Sequence, residues 1–109
     1  MLNASRIEIG DNVLFASNVL VTSENHGMNP ESDIPYMDQT LSSQPVIIED
    51  GCWIGEKVCI MPGVTIGRKS IIGAGSIVTK SIPGYCIAVG NPAKVIKKYN
   101  FKSHNWESV

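Results

Sequence analysis

Few side chains in this sequence are equipped for chemistry beyond ordinary hydrogen bonding. Two histidines, His26 and His104, and three cysteines, Cys52, Cys59 and Cys86, are the candidates for proton transfer or nucleophilic attack. An imidazole titrates near neutral pH and is suited to taking a proton from a hydroxyl. His26 stands where a regular pattern gives way to an irregular stretch; taken alone, it reads first as a solvated loop side chain. His104 lies in a polar tail. A catalytic zinc of the three-histidine type lacks a ligand here. The cysteines are odd in number and have no Cys-x-x-Cys spacing, so they suggest neither a disulfide framework nor a thiolate metal site. Cys52 is expected to behave as a small core hydrophobe and Cys59 to face outward.

The elements that must position these groups are set by a beat of six. Ile48, Ile54, Ile60, Ile66, Ile72 and Val78 recur without a break, and Cys52, Val58, Val64, Ser70, Ser76 and Ile82 follow four places after each. Six matches neither a helix face nor strand alternation. It is the period of a hexapeptide β-helix, in which short strands and corners stack into coils. Three strokes close one turn of about 18 residues, and successive coils pair as parallel strands about 4.8 Å apart. Gly55, Gly67 and Gly73 follow the aliphatic residue, where their conformational freedom is expected to allow a tight corner.

The beat begins early, with Ile9, Phe15 and Val21, and Val13 and Val19 between them. A coil that starts almost at the first residue implies a missing cap or a covering partner at that end. From Val21 to Ile48 is 27 places, which breaks the phase. Residues 27–45, with three prolines and little periodicity, are expected to form an inserted arm that leaves at His26 and returns at Val46. Ile34, Tyr36 and Met37 are its candidates for packing on a neighbouring surface. Tyr85–Val89 reads as a final stroke. Asn91 and Pro92 then resemble a helix N-cap and first turn, so a short basic helix is expected over 92–99, followed by a tail over 100–109. The chain of 109 residues is thus read as one all-β domain, a parallel β-helix of about four coils with an arm and a C-terminal helix. A net charge of −1 gives no basic stripe for nucleic acid, and no apolar run is long enough for membrane insertion. Without a basic start and apolar core at Met1–Gly10, the expected compartment is the cytoplasm.

The run PVIIEDGCWIGEKVCIMPGVTIG, then IIGAGSIVTKSIP and GNPAKVIKK, resembles the hexapeptide-repeat acyltransferases, especially their sugar O-acetyltransferase branch. The resemblance spans Ile7 to Tyr99. It implies a left-handed coil, a homotrimer and an acetyl-CoA site between neighbouring subunits, with acetyl-CoA as cosubstrate and no metal. His26, fifteen residues after Asp11 and at the mouth of the arm, matches the family's catalytic histidine. It is expected to deprotonate a sugar hydroxyl that attacks the thioester directly, with a backbone N–H near Trp53–Glu56 stabilising the oxyanion. By the same carry-over Trp53, Glu56, Ala74, Thr79 and Lys80 line the pantetheine arm, and Lys94 and Lys97 meet the nucleotide end as point charges. The sequence departs from the family in its short N-terminal side, in Ala4 where an acid is expected, and in Gly27-Met28-Asn29 after the histidine. A natural short form, a truncated gene product or a degenerate member is therefore expected.

Three other readings compete. A γ-class carbonic anhydrase has the same coil but requires three histidines on zinc. A non-catalytic trimeric scaffold keeps the coil without the acceptor chemistry. An N-acetyltransferase acting on an aminosugar uses the same donor, although a hydroxyl needs a base more than a neutral amine does.

Overall fold

In the computed structural model, residues 6–109 are described; Ala4 lies outside them. The chain winds through short strands that sort onto three faces. Face one holds β1 (Ile7–Ile9), β6 (Val46–Ile48) and β9 (Thr65–Ile66). Face two holds β2 (Leu14–Phe15), β7 (Trp53–Ile54), β10 (Ile71–Ile72) and β12 (Cys86–Gly90), all parallel. Face three holds β3 (Leu20–Val21), β8 (Cys59–Ile60) and β11 (Ile77–Val78). The turn length matches the expectation: Trp53 pairs with Ile71 and Cys59 with Ile77, each eighteen places on.

The beat is the core. Ile48, Ile54, Ile60, Ile66, Ile72 and Val78 are buried, with Cys52, Val58, Val64, Ser70 and Ser76 closing the column between them. Burying one such aliphatic side chain contributes about 1.5–3 kcal/mol relative to leaving it in water. Val13, Phe15, Val19 and Val21 of the first coil are only partly buried, because among the described residues no rung stacks above them. Burial raises the Cys52 thiol above its ordinary pKa, and its sulfur lies 3.1 Å from the Gly67 carbonyl.

The corners follow a grammar of their own. Asn12, Asn18, Gly51, Lys57, Gly63, Lys69 and Gly75 each stand three places after a residue of the six-residue beat, all with φ between 58° and 81°. This left-handed conformation swings the chain from one face to the next, and a side chain there costs about 1–2 kcal/mol. The glycine directly after the aliphatic residue serves a different end from the one expected. Gly55 and Gly67 do not have positive φ; a Cβ on Gly55 would stand 2.7 Å from Ala74 N, and one on Gly67 would meet Gly84 N. Space for the next coil, not backbone freedom, excludes side chains at these places.

The fourth passage is short. Ile66 bridges to Ile82 and Ile71 pairs with Ile87, only sixteen places on. Two buried serines accommodate this step. Ser70 Oγ donates to Pro83 O at 2.6 Å and accepts from Cys86 N, while Ser76 Oγ accepts from Gly90 N at 3.0 Å.

The helix expected over 92–99 is not formed. Ala93–Asn100 is instead a strand, β13, running antiparallel to β12, and Asn105–Ser108 adds β14. Gly90, with φ 108°, turns the chain back at Asn91-Pro92. The lower edge of β12 offers unpaired backbone groups, and pairing with it satisfies Lys94–Lys98 where a short isolated helix would remain marginal. Ala93 and Val95 pack against the core while Ile96 faces outward. The tail is ordered by edge-to-face contacts of 5.0–5.3 Å linking Tyr85, Phe101, Tyr99 and Trp106. No helix among the described residues is long and apolar enough to cross a membrane.

Candidate active site

The arm leaves the coil after β3. Its root is a two-stranded antiparallel stem, β4 (Glu24–Asn25) with β5 (Ser42–Ser43), tied to the corner where Gln44 N donates to Ser23 O at 2.9 Å. His26 is the first residue beyond the stem. Its side chain is exposed and borders a hollow of about 390 Å³ with Asn25, Gly27, Met28 and Tyr36. Within the chain it makes no hydrogen bond or ion pair among the described residues, so both ring nitrogens are open to a ligand or a neighbour.

The corner beneath His26 stacks in order along the axis. Gly63 N donates to Gln44 O in the second coil, and Thr79 and Lys80 follow β11 at the same corner of the third. Two rungs of about 4.8 Å separate them from the root of the arm. Both are exposed.

The remaining expected site residues lie elsewhere. Trp53 faces out from face two, 49 % exposed, between Leu14 above and Ile71 below, and the column continues through Ile87 to Lys97. Glu56 and Ala74 occupy the corner between faces two and three, where Gly75 N donates to Glu56 O at 2.7 Å. Lys94 and Lys97 are exposed on β13, not on a helix. One chain therefore brings His26, Thr79 and Lys80 to one corner and Trp53, Glu56, Ala74, Lys94 and Lys97 to another region. Face three lies between the two sets.

Face three carries a feature the sequence reading passed over. Leu20, Cys59 and Ile77 form an outward column there, matching Leu14, Trp53, Ile71 and Ile87 on face two. Face one shows Glu8, Ile47 and Thr65 in the same place. The signal was available in the residue immediately before each aliphatic beat, which is apolar on two faces and mixed on the third. Among the described residues, no group of three or more His, Cys, Asp or Glu side chains is placed to hold a metal ion.

Residues 45–80 match the family model for the hexapeptide repeat of succinyl-transferase. The galactoside O-acetyltransferase of Escherichia coli (strain K12) is 44% identical over 109 residues, covering 94% of this chain and 52% of the relative. A galactoside acetyltransferase solved in complex with coenzyme A superposes with a TM-score of 0.78 at 43% identity, over 89% of this chain and 47% of that one. This chain carries the hexapeptide repeat of that family model and is similar to these acetyltransferases along nearly its whole length. A maltose O-acetyltransferase from Clostridium difficile 630 also matches, at TM-score 0.77 and 48% identity, over 84% of this chain and 48% of that one. With these structures the chain shares the left-handed parallel β-helix. It spans about half the length of the curated relatives it matches.

Proposed function

We propose that this chain forms the donor and catalytic part of an acetyltransferase that moves an acetyl group from acetyl-CoA to a sugar hydroxyl. The observation that carries this reading is an exposed His26 at the arm's root, in a coil that superposes on a galactoside acetyltransferase solved with coenzyme A. His26 takes the hydroxyl proton as the acceptor oxygen attacks the thioester carbonyl. The tetrahedral oxyanion is held by a backbone N–H near Trp53–Glu56. Its collapse breaks the C–S bond, and the imidazolium returns the proton to the departing thiolate of CoA.

Assembly follows from the separation of the two residue sets. A trimer presents the His26 corner of one subunit to face two or its following corner on the next. Pantetheine then runs between them, past Trp53, Glu56, Ala74, Thr79 and Lys80, with Lys94 and Lys97 at the phosphates. The apolar columns on faces two and three are the surfaces such an assembly covers. A cytoplasmic setting fits the acetyl-CoA requirement.

The test pairs CoA titration with acetyl-transfer assays on a panel of sugars. His26→Ala should lower turnover about a hundredfold or more with CoA affinity intact. Lys94→Glu combined with Lys97→Glu should weaken CoA binding and leave the coil folded. Full turnover by the His26 variant removes it from the mechanism, and unchanged CoA affinity in the lysine pair removes the phosphate assignment.

A further inference from the structure

The arm has no hydrophobic core. From Glu24 to Ser42 every residue is exposed except Gly27, Ser32 and Gln39. Met28, Ile34, Tyr36, Met37 and Leu41 all face outward. Something other than apolar burial must therefore define its shape. Local turns contribute, with Glu31 N donating to Asn29 Oδ1 and Ile34 N to Ser32 Oγ, but these bonds do not connect one limb to the other.

Beyond the stem, the cross-connection is made by one side chain. Gln39 Oε1 accepts from Asn29 N at 3.1 Å, while Nε2 donates to Asn29 O at 3.0 Å and to Ile34 O at 2.9 Å. All polar valences needed for a three-point clasp are used, and the donors and acceptor fix which way the amide points. The same side chain lies against the backbone directly after His26. A Cβ on Gly27 would stand 2.6 Å from Gln39 Oε1 and 2.8 Å from its Cβ. The stem fixes the residue before His26, and the Gln39 clasp fixes the three after it.

We propose that Gln39 is the positioning residue of His26: it holds the 27–29 backbone so that the imidazole stays over the hollow instead of sampling the freedom of an exposed loop. This rests on the reading of His26 as the base. The value of the clasp lies in orientation, where a displacement of about 1 Å can cost a hundredfold in rate.

The test uses the full chain with acetyl-CoA and the best acceptor from the sugar panel. Gln39→Ala should lower kcat by about tenfold to a hundredfold, leaving the KM for acetyl-CoA and the melting temperature unchanged. Gly27→Ala should do the same, and the two changes together should cost no more than either alone, because both open one clasp. With only two histidines in the chain, the His26 ring proton signals are assigned by comparison with His104→Gln. In Gln39→Ala they should move and broaden while those of His104 stay, and the Asn29 amide should lose its protection from exchange. A His26 signal unmoved in Gln39→Ala overturns the proposal. So does a wild-type kcat in Gln39→Ala beside an inactive His26→Ala. If instead His26→Ala retains full turnover while Gln39→Ala still shifts the His26 signal, the base assignment falls and Gln39 is left as a purely structural clasp.

Discussion

The coil and the arm are held by opposite means. Between Val46 and Ala88 the chain is fixed by thirteen buried apolar side chains, each repeating its neighbour one rung away. Between Glu24 and Ser43 no apolar side chain is buried, and beyond the short β4–β5 stem the Gln39 amide joins the limbs. The coil is redundant: each rung templates the next, so stability is shared along the axis. The arm has no such redundancy. Changes in the coil are therefore expected to register as lost stability, and changes in the arm as lost activity.

That contrast can be broken at several points. Ile54→Ala, in the middle of the buried column, should cost about 2–5 kcal/mol and lower the melting temperature of the whole domain. A small loss would mean that the rungs fold independently. Ser70→Ala should cost about 1–3 kcal/mol, because it strands the Cys86 N–H and the Pro83 carbonyl at the point where the repeat shortens. If denaturant titration shows this variant as stable as the wild type, the serine does not hold the fourth passage. At the other extreme, Ile34→Ser in the arm should change stability by no more than about 0.5 kcal/mol. A large drop would reveal an apolar contact that the arm makes with a second subunit, which sedimentation at matched concentration would expose as a shift in assembly.

The coil was legible because its determinant is periodic in the sequence. Each inward residue repeats at a fixed interval, and the register follows from counting. Even there the cause assigned to Gly55 was incomplete, since the close approach of Ala74 depends on a residue nineteen places away. The Asn91-Pro92 pair misled for a related reason. Locally it has the chemistry of a helix start, but the bare edge of β12 decides the outcome, and an edge is not visible in a window of ten residues. The clasp at Gln39 left no trace at all, as its partners sit in irregular backbone with no period to betray them. His26, the proposed base, was singled out by its place at the mouth of the arm and by the family likeness. The expected site residues Trp53, Glu56, Ala74, Lys94 and Lys97 lie in a different region of the chain, and under the proposed assembly they meet His26 across subunits.

The shortened fourth passage has a consequence for polymerisation. A coil that ended on a full eighteen-residue rung would offer three bare parallel edges to the first rung of another molecule, and head-to-tail addition would generate a filament. Here the last rung lacks two residues on its way from Ile66 to Ile82, so an incoming rung finds its strands out of step. On face two β13 reverses direction and β14 covers it, leaving an outermost strand of four residues. The missing pair of residues and the hairpin together oppose head-to-tail addition at this lower end of the coil.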